Sequence, residues 1–198
     1  GDDEVYYSEP SNEPVIKKAS MDDFDQIAVT TNIPLDIRQT AIELSGADIQ
    51  EIIPADGKGN VTNQFTLKTK KKLDVSGSYQ VRIEGYGEQL VEIGKIVRTE
   101  AFDRLYYYDG QDLGNTYSRH STKFRLWAPT ASEAKLVVYS KWDDKTGREI
   151  KMKRGEKGTW TAKLRGNQNG LLYTYKVKIG VKWNEAVDPY VRAASVNG

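Results

Sequence analysis

From Phe24 onward the chain alternates between apolar and polar positions. Ile27 and Val29 alternate with Gln26, Ala28 and Thr30; Phe65 and Leu67 with Thr66 and Lys68; Tyr79, Val81 and Ile83 with Gln80, Arg82 and Glu84. A period of two marks half-buried strands with one face inward. Turn clusters separate them at 32–34, 54–60 and 76–78, and a further strand is expected over 90–97. A second set follows a connector at 99–114. Phe124 and Leu126 share one strand face, and 136–139 is apolar on both faces, which suggests a central strand. Trp160, Ala162 and Leu164 alternate with polar neighbours, as do Tyr173, Tyr175, Val177 and Ile179. Residues 100–104 are long enough for one helical turn, and no segment predicts a long helix. The expected fold class is all-β: two immunoglobulin-like β-sandwich domains in tandem. The expected division is an N-terminal arm or linker over 1–21, a sandwich over 22–98 and a second over 99–198.

The length of 198 residues allows a sizeable core in each of two such domains. With 29 basic and 28 acidic side chains, the net charge of +1 gives no reason to expect a nucleic-acid partner. No apolar run approaches the roughly 18 residues of a membrane helix, so no membrane partner is expected. Cysteine is absent, which removes disulfides, thiol chemistry and cysteine metal sites. The single histidine, His120, leaves no multi-histidine metal centre; no cofactor or metal is expected. A chain opening on Gly1 reads as a processed or engineered end of a longer protein. Its acidic N-terminus and tandem β-modules lean towards a secreted or cell-surface bacterial protein, with a cytoplasmic one as the alternative.

Glycoside hydrolysis needs two carboxyl groups flanking the bond. The paired acids Asp22 with Asp23 and Asp143 with Asp144 sit at polar loop positions and read as solvated side chains. The run Lys68, Lys70, Lys71 and Lys72 lacks adjacent stacking aromatics and reads as a solvated strand end. Asn60, Val61 and Thr62 fit the glycosylation acceptor pattern, which is common by chance.

The 4 tryptophans say more. Trp160 shares parity with Ala162 and Leu164 and belongs to the core. Trp127 ends a strand near Pro129 and reads as packing. Trp142 lies just past the strand at 136–139, between Lys141 and Asp143, where burial is less expected. Trp183 follows a hairpin turn at Gly180 and Val181. If Ile179 pairs with Lys182, Trp183 stands opposite Lys178, and directly opposed residues share a face. Trp183 then joins Lys176 and Lys178 on the polar face, where an indole can receive the C–H face of a sugar ring. A register slip of one residue would bury Trp183 instead.

These residues resemble a known family. Tyr107-Tyr108-Asp109-Gly110, Leu113-Gly114, Phe124-Arg125-Leu126-Trp127-Ala128-Pro129-Thr130-Ala131, Val187-Asp188-Pro189-Tyr190 and Val196-Asn197-Gly198 are similar to the segment preceding the catalytic barrel in type I pullulanases. Those are α-glucan debranching enzymes of glycoside hydrolase family thirteen. Residues 100–198 resemble their carbohydrate-binding module of family 48, an immunoglobulin-like sandwich, and 22–97 the β-sandwich that often precedes it. The resemblance implies a non-catalytic region that binds α-glucan or maltooligosaccharide and partners its own catalytic domain. Glycogen-binding modules of family 48 use two tryptophans and a lysine, and Trp142, Trp183 and Lys176 match those places. The stretch after Trp183 follows the pullulanase pattern rather than that of the glycogen binders. The resemblance therefore also allows a structural module that braces the barrel without binding sugar.

Overall fold

In the computed structural model, residues 12–141 and 145–186 are described. The first half contains β1 (Ile16–Asp23), β2 (Gln26–Asp36), β3 (Ile42–Ser45), β4 (Ile49–Pro54), β5 (Val61–Thr69), β6 (Gln80–Ile83), β7 (Gly87–Leu90) and β8 (Glu92–Ile93). A single short helix, α1 (Glu100–Tyr106), comes next among the described residues. The second half contains β9 (Gly114–Tyr117), β10 (Ser121–Trp127), β11 (Glu133–Tyr139), β12 (Arg148–Lys151), β13 (Lys153–Arg154), β14 (Thr159–Arg165), β15 (Leu172–Ile179) and β16 (Lys182–Ala186).

The first half layers a five-stranded sheet, β4-β5-β2-β1-β8, against a three-stranded sheet, β3-β6-β7. Both contribute to one buried cluster that includes Ile27, Val29, Phe65, Leu67, Val81 and Ile83. These are the inward members of the alternating runs. The second half has two four-stranded sheets, β13-β14-β10-β9 and β12-β11-β15-β16. A separate cluster lies between them, with Phe124, Trp160 and Leu164 from one sheet and Leu136, Tyr173 and Tyr175 from the other. Tyr173 meets Phe124 edge-on, at 5.0 Å between ring centres, and its hydroxyl accepts from Asn115 Nδ2 at 3.0 Å. Among the described residues the fold is all-β apart from α1 and two short 3-10 turns.

Three expectations meet a different arrangement. Residues 16–21, assigned to the arm, belong to β1, an inner strand between β2 and β8. Its alternation is hidden because Ala19, Ser20 and Met21 are all buried in succession. Register shifts beside Ile16 and Met21 break the parity further. The strand expected over 90–97 stops at Ile93. The Gly94 N–H donates to Met21 O at 3.0 Å, and Lys95–Arg98 then forms a 3-10 turn that buries Ile96 completely. The first core also runs past the expected division near 98. Thr99 Oγ1 accepts from Phe102 N at 3.1 Å and caps α1, and Phe102 and Tyr106 pack into the first cluster.

Candidate functional site

The sheet β12-β11-β15-β16 turns one face to the second core and the other outward. Along β15, Tyr173 and Tyr175 point inward, which leaves Thr174, Lys176 and Lys178 on the outer side. Gly180 has φ of +62°, the left-handed conformation needed at the first position of the tight turn into β16. The turn pairs Ile179 with Lys182 and Lys178 with Trp183, the register in which Trp183 faces outward. Trp183 is 36% exposed, against 4% for the core residue Trp160.

The structure brings Lys176 and Trp183 to this one face, and both line a shallow depression of about 440 Å³ with Lys135, Glu149, Asn184 and Glu185. Trp142 lies outside the described residues, as do Asp143, Asp144 and the 187–198 segment. Lys135 of β11 pairs directly opposite Lys176. Like charges so placed repel, and Glu149 of the edge strand β12 offsets this. It accepts from Lys176 Nζ at 2.7 Å and from Lys135 Nζ at 3.0 Å. Those two hydrogen bonds hold the Glu149 carboxyl below its ordinary range, and Glu149 in turn holds the Lys176 ammonium above its own. The Lys135 ammonium also lies over the Trp183 ring, 4.6 Å from its centre.

Glu185, opposite Lys176 on β16, forms the other end of the row. It accepts from Thr174 Oγ1 at 2.5 Å and from the Tyr139 hydroxyl. Both bonds lower the Glu185 carboxyl, and the bond to Glu185 raises the Tyr139 phenol. The site is a ring lying among ammonium donors and carboxylate acceptors, suited to a flat polyhydroxyl ligand. Such a surface can offer stacking and hydrogen bonding to a ligand.

The sequence reading missed Lys135, Glu149 and Glu185. Lys135 sits one residue before the apolar run at 136–139, and its outward parity was available. Glu149 belongs to a four-residue edge strand with no apolar alternation, and only the fold places it beside the lysines.

Elsewhere, the Asp22 carboxylate accepts from Ser20 Oγ and from Lys95 N, and Asp23 accepts from Phe24 N, so both serve the backbone around β1. Trp127 is exposed but tethered: its Nε1 donates to Tyr106 O at 2.8 Å, closing the end of α1. Among the described residues there is no cluster of three metal-ligating side chains, and no helix is long and apolar enough to cross a membrane.

A family model, carbohydrate-binding module 48 (isoamylase N-terminal domain), matches residues 112–191. Over 175 residues the chain is 39% identical to a pullulanase of Bacillus subtilis (strain 168), an alignment covering 76% of this chain and 24% of that protein. The crystal structure of a pullulanase complexed with maltotriose, from Anoxybacillus sp. LM18-11, superposes with a TM-score of 0.68 at 29% identity, over 87% of this chain and 25% of that one. Pullulanase type I from Bacillus subtilis str. 168, complexed with maltose, gives 0.65 at 25% identity, over 92% of this chain and 25% of that one. The chain spans about a quarter of the length of these relatives.

Proposed function

Residues 112–191 belong to the carbohydrate-binding module 48 family, in a chain homologous to the N-terminal region of pullulanases, and from that premise we propose that this region binds α-glucan and positions it for a pullulanase-type debranching enzyme. The observation that supports this reading most directly is Trp183, held outward on a hairpin with Lys176 and Lys178 on the same face. An indole in that position offers a flat apolar surface to the C–H face of a glucose ring. The flanking ammonium and carboxylate groups meet the hydroxyls at the ring edge. Trp142 is proposed as the second stacking residue. The chain itself is proposed to be non-catalytic, with hydrolysis of α-1,6-glucosidic bonds assigned to the parent enzyme's barrel. A secreted or cell-surface setting goes with this reading and is checked by fractionating the source cells.

Two stacked rings and a few solvated hydrogen bonds give a weak site, with Kd on the order of 0.1–10 mM after the cost of immobilising the ligand. Weak binding suffices when an attached catalytic domain raises the effective concentration of the chain end. The test is titration with maltoheptaose, followed by tryptophan fluorescence and calorimetry, with cellohexaose as the control. Trp183→Ala and Trp142→Ala should each abolish detectable binding while the far-ultraviolet circular dichroism is retained. Wild-type protein that gives no signal with maltoheptaose would overturn the reading.

A second reading has its own support. Leu105 at 48%, Tyr107 at 66% and Trp127 at 41% exposure lie around the end of α1, where Trp127 bonds the Tyr106 carbonyl. That apolar surface fits a bracing contact with the parent's catalytic domain. The bracing reading predicts tight association with that domain added in trans, weakened by Tyr107→Ser, and no dependence on Trp183.

A further inference from the structure

We infer that Glu149 and Lys135 are positioning residues of the Trp183 site, fixing which face of the indole is offered to ligand; this rests on the glucan-binding reading. Three geometric facts lead to it. Lys135 and Lys176 stand directly opposite each other on β11 and β15, the arrangement in which two ammonium groups repel. Glu149, reaching in from β12, accepts from both, one carboxylate oxygen to each lysine. The Lys135 ammonium so held lies 4.6 Å from the centre of the Trp183 ring, although Trp183 is two strands away on β16.

An exposed tryptophan on a two-residue hairpin has several rotamers open to it. A cation anchored over one ring face selects among them, because the ring quadrupole favours only the geometry that meets the charge. The capped face is then closed to a sugar and the opposite face is presented. The same carboxylate keeps Lys176 at the edge of the depression, as a donor to ligand hydroxyls. Glu149 thus sets both the stacking surface and the neighbouring hydrogen-bond donor while lying on a third strand. Glu133 and Lys178, a pair at 3.6 Å in the next row, and Glu185, held by Thr174 and Tyr139, have their own partners. Neither of those carboxylates has a bond to Lys135 that would replace Glu149.

The test uses the 198-residue chain in Glu149→Gln, Lys135→Met and Lys135→Arg forms, with Lys163→Met as the control, an exposed cation on β14 of the other sheet. The indole N–H resonance of Trp183, assigned through Trp183→Phe, is recorded without ligand, and maltoheptaose is then titrated. Glu149→Gln and Lys135→Met should each move that resonance and weaken binding about two- to fivefold, the range of an exposed cation–ring contact. Lys135→Arg should restore both readouts, since a guanidinium keeps the ion pair and the ring contact, and Lys163→Met should change neither. A Trp183 resonance unmoved by Glu149→Gln and Lys135→Met overturns the inference. So does a loss in Lys135→Arg equal to that in Lys135→Met. If the wild-type chain binds no maltoheptaose, the glucan reading falls, and the resonance alone decides the positioning of the ring.

Discussion

Replacing Trp160 with alanine should nearly unfold the second core while leaving the first intact. Trp160 is 4% exposed on β14, within the cluster formed by Phe124, Leu136 and Tyr173. Its Nε1 donates to Ala128 O at 3.1 Å, and the Arg154 guanidinium lies over its ring at 4.5 Å. A buried tryptophan removes roughly 150–250 Å² from water, about 4–6 kcal/mol at ~25 cal/mol per Å², an upper bound. Large-to-small changes of this kind cost about 3–5 kcal/mol in practice, because the cavity collapses only in part. The lost indole hydrogen bond adds little, since Ala128 O still accepts from Ala131 N at 3.2 Å, which puts the expected loss near 4 kcal/mol, on the order of the large-to-small cost alone. Against a total stability of about 5–15 kcal/mol for a domain, that leaves little. For a unit of roughly 100 residues the midpoint should fall by about 15–30 °C. Differential scanning calorimetry reads this directly, since two hydrophobic clusters should give two resolvable transitions, of which only one moves. Trp160→Phe, which keeps most of the apolar surface, should cost about 1–2 kcal/mol. A midpoint in Trp160→Ala within 3 °C of wild type would refute the assignment of Trp160 to the core.

Gly94→Ala should destabilise the first core by about 1–3 kcal/mol. A Cβ there would stand 2.2 Å from Asp22 Oδ1 and 3.0 Å from Met21 O, the groups that tie β1 to the turn after β8; urea unfolding measures the loss, and an unchanged midpoint would contradict the close approach. The acid dependence of stability should trace in part to Glu149 and Glu185, whose carboxyls are lowered in the folded chain. Their contribution is present above the unfolded carboxylate range near pH 4 and is lost as pH falls through the lowered folded values. Thermal scans from pH 7 to 3 should show a midpoint that drops less steeply in Glu149→Gln than in wild type; identical slopes would count against it.

Much of the fold was legible because period-two alternation survives wherever a strand has one wet face. Phe65 with Leu67 and Trp160 with Leu164 reveal their sheets in this way. β1 was not legible, since small side chains at Ala19 and Ser20 let successive residues be buried and bulges shift the parity. The break at Gly94 was equally hidden: Ile96 looks like a strand residue in sequence and is buried from a 3-10 turn. The Trp183 face followed from one assumption about a two-residue turn, and turn length is written in the sequence. The Glu149 clamp was not, because pairing across three strands is a property of sheet order. The spacing of Lys135 and Glu149 in the sequence says nothing about which neighbour each will meet.

Ser20 and Met21 of β1 pair in parallel with Glu92 and Ile93 of β8, and this has a kinetic consequence. Among the described strands, β1 is the first to leave the ribosome, and β2 follows at once to cover one of its edges. The other edge waits until β8 has been made, with the intervening chain already extruded. Closing so large a loop for a two-residue ladder is entropically slow. Until then the nascent sheet displays unpaired backbone beside Ala19 and Met21, an adhesive border open to other chains. The completed clasp then covers that border at Ser20 and Met21, and leaves the two-residue β8 as the short outer edge.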